Sequence, residues 1–217
     1  MIPLVIVRPE PGAGATLRAA QALGLEAHAH PLFTVRPVPW EPVARSEIDA
    51  LILGSANAIR HAGPALEAYH ATPTYCVGET TAKAAKEAGL AVVRTGSGGL
   101  QNVLKTLDPA HKRLLRLAGV TRLNLDLPAG VSMITRDVYC SAPLPLSAEL
   151  ASTLEHPCVV MLHSGEAAAH FTAICTEARI DHSRLTLAVI GPRVAELAAL
   201  SGDPTWAKIA IAQTPSD

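Results

Sequence analysis

The sequence predicts an α/β fold of two parallel-sheet domains, the second inserted into the first. Three observations point there. Short apolar runs alternate with amphipathic stretches along the whole chain. Several of those runs stop at Gly, Ser or Thr just where a helix should begin, as in LILGSAN at 51–57 and VVMLHSG at 159–165. Proline clusters break the alternation twice, near 36–42 and 139–145, and these breaks read as paired crossings between domains.

The elements follow in order. IPLVIV is a strand, RPEPGAG a loop, ATLRAAQAL a helix stopped by Gly24, and EAHAHPLFTV a second strand. VRPVPWEPVA reads as a linker or edge strand. IDALILGSAN then leads to a helix around 57–69. TYCVG leads to ETTAKAAKEA with Gly89 as its stop, and LAVVRTG to SGGLQNVLKTL. RLLRLAG leads to a helix over TRLNLDLPA, ended by Pro128, and VSMITRDVYC closes the insert. Beyond it, helix ELASTLE, strand CVVMLHSG, helix EAAAHFTAICTEA, strand LTLAVIG, helix PRVAELAALS and strand WAKIAIA complete the pattern. Counting strands gives five on each side. The boundaries expected are 1–36 with 142–217 for the first domain and 38–140 for the insert.

Composition narrows the function. The 217 residues are 49% hydrophobic and only 3% aromatic, with a net charge of −1. A sizeable core is affordable, and neither an aromatic nor a basic surface for nucleic acid is in sight. The run MIPLVIV is short for a secretory signal and lacks a positive leader. No apolar run nears the ~18 residues of a membrane-spanning helix. A cytoplasmic protein with no membrane or nucleic-acid partner is expected. Cys76, Cys140, Cys158 and Cys175 show no CxxC or zinc spacing, and no i, i+4 histidine pair suggests a metal, so no cofactor is expected.

Strand ends of this kind make a site. In open parallel sheets, ligands bind beyond the carboxyl ends of the strands, where helices start with unpaired N–H groups and a dipole that favours anions. Ser55, Asn57, Thr80, Thr81 and Ser164 are short polar residues suited to cap such ends or to bond an anion, and Ala56 offers a backbone amide between the first two. Gly78, Gly98, Gly165 and Gly191 let a ligand approach the main chain. Each alone is ordinary capping or turn chemistry; their repetition in both halves is the signal. There is no GxSxG elbow, HExxH pair or Ser–His–acid set. The expected ligand is anionic and held by amides and hydroxyls.

The ordered set VIVRPEPGAGATLRAAQALGLEAHAHPLFTV, DALILGSANAIR, TYCVGETTAKAAKEAGL, LLRLAG, DVY, VMLHSGEAAAHF and AVIGPRVAELA resembles the uroporphyrinogen-III synthase family, over nearly the whole chain. The resemblance implies two flavodoxin-like domains with five-stranded parallel sheets, joined by a two-stranded linker. It implies a monomeric lyase that cyclises hydroxymethylbilane, with loss of water and inversion of the last pyrrole ring. By position, Tyr139 corresponds to the family's "VY" tyrosine. Ser55, Thr81 and Ser164 correspond to its hydroxyl residues, Arg8 opens the first loop, and Gly119 and Arg122 match a glycine-then-basic pattern. Tyr139 is the expected general acid or donor to the leaving hydroxyl, since a phenol carries its proton at neutral pH. Two departures stand out. Arg193 replaces a threonine found in some relatives, and the sequence stops at TPSD (214–217) where family members usually follow TP with another helix, so that either the final helix has been cut away or this member lacks it. The rival readings are a two-lobed small-molecule receptor without catalysis and a nucleotide or flavin module resting on RTGSGGLQ.

Overall fold

Strand and helix alternate through a computed structural model that describes residues 2–200 and 205–213. It opens with β1 (Leu4–Ile6), α1 (Gly12–Ala22), β2 (Ala27–Ala29) and β3 (Phe33–Pro37). There follow β4 (Ala50–Leu53), α2 (Ala56–His61), β5 (Pro73–Val77) and α3 (Glu79–Glu87). Next come β6 (Ala91–Gly96), α4 (Leu100–Leu104), β7 (Arg113–Gly119) and β8 (Ser132–Pro143). The series ends with α5 (Ala148–Leu154), β9 (Cys158–Leu162), α6 (Gly165–Glu177), β10 (Leu185–Val189), α7 (Pro192–Leu200) and β11 (Lys208–Ile211). The TPSD residues lie outside the described part.

Two compact units result. One comprises the described residues up to Thr34 and from Ala142 onward, the other Val35–Ser141. In the first, five parallel strands lie in the order β11-β10-β9-β1-β2. A sheet of this kind must be covered on both faces, and the side-chain alternation of its strands supplies two cores. Val5, Val7, Val160, Leu162 and Leu187 pack with Phe171 and Ile174 of α6 and with Val194 of α7. Ile6, on the opposite face of β1, packs on Ala13 and Ala20 of α1. Each large apolar side chain so buried contributes about 1.5–3 kcal/mol.

The inserted unit holds six strands in the order β3-β8-β7-β4-β5-β6. The strands β4 to β8 pair in parallel. Leu51, Leu53, Leu115 and Leu117 face α2 and α3 through Ala58, Ile59, Ala82 and Ala85. Ala50, Ile52 and Leu114 point the other way, onto Val103 and Leu104 of α4.

Three sequence expectations need correction. The second sheet is mixed and six-stranded, not parallel and five-stranded. The extra strand is β3, because EAHAHPLFTV is not one strand: it breaks around Pro31 into β2, in the first sheet, and β3, in the second. Val38 N donates to Val138 O at 3.0 Å and Leu144 N to Leu32 O at 2.8 Å, so β3 runs antiparallel to β8. No helix forms over TRLNLDLPA; residues 121–128 are an irregular strap. Thr, Asn and Asp there are weak helix formers, and Gln101 exchanges hydrogen bonds with the Asp126 backbone at 2.9 and 3.0 Å. The helix expected over 57–69 is also divided. Gly63, at φ 69°, ends α2, and a 3₁₀ segment runs from Pro64 to Tyr69. Among the described residues, no helix is long and apolar enough to cross a membrane.

Candidate active site

Chain order in the inserted sheet reverses between β4 and β7. From β4 the chain moves outward through β5 and β6, then returns to lay β7 and β8 on the other side. At such a switch point the helices on either side leave a crevice beyond the strand ends. A cleft of ≈ 340 Å³ lies there, lined by Gly54 and Ser55 after β4, Arg116 to Gly119 at the end of β7, and Tyr139 from β8. Gly98 to Gln101, at the start of α4, and the strap from Thr121 to Leu125 form its other walls.

Five residues expected from the sequence therefore meet in one cleft: Ser55, Gly98, Gly119, Arg122 and Tyr139. Ser55 caps α2, its Oγ accepting from Asn57 N at 3.2 Å. Ala56 is buried and Asn57 half-buried in the first turn of that helix. Gly98 and Gly99 have φ of 72° and 99°, values that L side chains rarely adopt, so the turn into α4 requires glycine there. Gly78, Thr80 and Thr81 stand at the neighbouring α3 start and do not line the cleft. Thr80 is exposed, and Thr81 is buried in the helix's first turn.

Tyr139 reaches the cleft through a register shift. Ala118 pairs with Asp137, but Gly119 pairs with Tyr139, leaving Val138 as the extra residue of a β-bulge. The bulge lays the Tyr139 ring against Gly119, where a methyl group would come within 2.7 Å of two ring carbons. His61, in the last turn of α2, has its ring centroid 6.3 Å from that of Tyr139. Burial, then the charge of Arg60, lowers the His61 pKa and favours the neutral imidazole. Arg122 is engaged on the same bulge. Its Nη1 pairs with Asp137 and also donates to the carbonyls of Gly119 and Val120, at 3.1 and 3.2 Å.

One functional candidate escaped the sequence reading. Arg116 lies in the middle of β7 and is only 6% exposed. By strand alternation it shares the α4 face with Leu114. Its Nη1 donates to Leu123 O of the strap at 3.1 Å, while Nε, buried, has no hydrogen-bond partner among the described residues. Burial pulls its pKa down, the nearby Arg122 charge adds to this, and Tyr139 and Asp137 oppose it. The available signal was a charged residue inside RLLRLAG, a run that is otherwise apolar beyond its opening arginine.

The first unit has its own switch point, between β1 and β9. Arg8 follows β1, with Nη1 donating to Thr16 Oγ1 at 3.3 Å. Ser164 follows β9 and caps α6, its Oγ accepting from Ala167 N at 3.1 Å. Gly165 packs under α7, where a methyl group would collide with Leu197. Gly191 is open, with no atom of the described residues within 4 Å of where a Cβ would stand. Arg193 is exposed. A pocket of ≈ 180 Å³ beyond β9, β10 and β11 is lined by Met161 to His163 and by apolar residues of the other two strands.

Glycine main chain, a serine hydroxyl and a phenol meet in a cleft beyond parallel strand ends, the place where α/β enzymes bind their ligands. The family model described as "Uroporphyrinogen-III synthase HemD" matches residues 15–216, and the chain belongs to the uroporphyrinogen-III synthase family. The activity that goes with this membership is uroporphyrinogen-III synthase, a lyase of tetrapyrrole biosynthesis. Two solved structures share the fold. Uroporphyrinogen-III synthetase from Helicobacter pylori is 18% identical, with a TM-score of 0.65 over 100% of this chain and 94% of the other. A mutant uroporphyrinogen III synthase from the extremely thermophilic bacterium Thermus thermophilus is 14% identical, with a TM-score of 0.58 over 99% and 94%. No curated protein matches the sequence significantly.

Proposed function

We propose that the chain closes hydroxymethylbilane to uroporphyrinogen III with Tyr139 as the proton donor, acting as a monomer in the cytoplasm. Residues 1–36 with 142–217, and residues 38–140, serve as its two domains. The carbon–oxygen bond of the terminal hydroxymethyl group breaks as the phenol protonates the leaving hydroxyl, and water departs. The pyrrole nitrogen supplies the electron pair, leaving an electrophilic methylene-pyrrolenine. The substituted carbon of the last ring attacks it, forming a spiro centre that fragments and recloses with that ring inverted. Tyr139 regains its proton as the pyrrole rearomatises.

Little reactive side-chain chemistry is required. Holding the two ends of the chain at reacting distance supplies up to ~7–11 kcal/mol of the barrier. Ser55, Ala56, Asn57, Thr80 and Ser164, with glycines 78, 98 and 191, offer hydroxyls and open main chain to the carboxylate arms, and Arg8 offers charge. The observation that carries the reading is the seating of Tyr139 on Gly119 at the switch-point cleft. Incubating the protein with hydroxymethylbilane and separating the products by chromatography tests it. Isomer III should dominate, and an unaltered spontaneous mixture rejects the proposal.

A further inference from the structure

We infer that Arg116 is the charged seat for one carboxylate arm of the ligand in the switch-point cleft. The inference rests on the reading of that cleft as the substrate site and names one contact within it. A guanidinium that is 6% exposed on a sheet face it shares with Ala50, Ile52, Tyr75 and Leu114 is costly to bury unless something completes its hydrogen bonds. The protein completes only part of them. Nη1 is held by Leu123 O, and Nε has no partner among the described residues. Asp137, an acid on the neighbouring strand β8, is engaged by Arg122, which also ties itself to the carbonyls of Gly119 and Val120.

The division of labour between the two arginines follows. Arg122 fastens the strap to the β-bulge. Arg116, anchored through one nitrogen, keeps donors for a planar acceptor with two oxygens. A carboxylate fits that fork, and a neutral carbonyl would use only half of it. The surroundings suit an arm of an otherwise apolar ring system, because Leu117, Ala118, Leu123 and Leu125 line the same cleft. The seat lies close to Tyr139, whose electrostatic influence reaches Arg116. A carboxylate held there would fix the ring that carries it beside the proton donor.

Arg116→Met tests the seat in the full chain. KM for hydroxymethylbilane should rise about 10- to 100-fold, as expected for losing charge-assisted hydrogen bonds, while kcat changes by less than about threefold. The salt dependence of KM should weaken, and Arg116→Lys should restore part of both. Arg94→Gln, at an exposed arginine outside the cleft, should leave KM unchanged. A second readout needs no turnover and no variant that folds poorly. The Arg116 Nε–H resonance of the wild-type protein should shift on titration with uroporphyrin I, an octacarboxylate probe. An active wild type whose KM survives Arg116→Met, or whose Nε–H signal ignores the probe, overturns the seat and leaves the proposed function standing. A wild type that neither converts the bilane nor binds the probe overturns the functional reading beneath it.

Discussion

The Tyr139 ring rests on the α-carbon of Gly119, with the hydroxyl oxygen 3.1 Å from where a Cβ would stand. No residue with a side chain fits at 119 without displacing the ring. Gly119→Ala should therefore lower turnover more than it raises KM, and overpacking should cost about 1–3 kcal/mol of stability. Thermal melts alongside steady-state kinetics check this. Wild-type turnover in the alanine variant would mean that the ring's position is immaterial.

Tyr139→Phe keeps the ring and its packing but removes the donor. Turnover should fall by on the order of 10²-fold, the lower range for general acid catalysis, with the melting temperature nearly unchanged. Rapid-quench measurement of water loss locates the defect. A variant as fast as wild type removes the phenol from the mechanism.

Ser55 has a structural duty as well as a place in the cleft, since its Oγ accepts from Asn57 N at 3.2 Å. Ser55→Ala should cost about 1 kcal/mol of stability from the lost cap and shift KM only a few-fold. A thousandfold drop in kcat would identify it as a reacting group instead.

Asp49 should make the protein sensitive to acid. Its carboxylate accepts from Arg113 Nη2 and Nε at 2.6 and 3.1 Å and from the amides of Arg113 and Lys112 at 2.8 and 2.9 Å. Hydrogen bonds from the Arg113 side chain, then its amide, hold the carboxyl well below the usual carboxylate range. Because the folded value is depressed, the stabilisation is complete above the unfolded value of ~3.9 and fades as pH falls below it. Asp49→Asn should lower the urea midpoint at pH 7, and the two proteins should converge under strongly acid conditions. A constant gap from pH 7 to pH 2 would contradict the linkage.

Strand ends were the legible part of the site. LILGSAN and VMLHSG each announce a strand, a cap and a helix, and Ser55 and Ser164 do cap α2 and α6. Local chemistry decides such features, so local sequence displays them. What depends on distant partners was not displayed. β3 joins the second sheet only because β8 offers it an edge. The strap at 121–128 stays open because Gln101 and Arg116, from other elements, take its backbone groups. Arg116 was overlooked because a strand flanked on both faces reads as uniformly apolar, and one charge inside it passes for noise.

Strand order in the first sheet also governs what happens while the chain is being made. β1 needs β9 as its neighbour, and the whole inserted unit is translated between them. Emerging from the ribosome, the opening βαβ segment has β2 on one side and a bare edge on the other until β9 arrives. The insert, whose sheet draws no strand from the described residues after β8, can finish first. The unit whose residues are synthesised earliest is thus the one completed last.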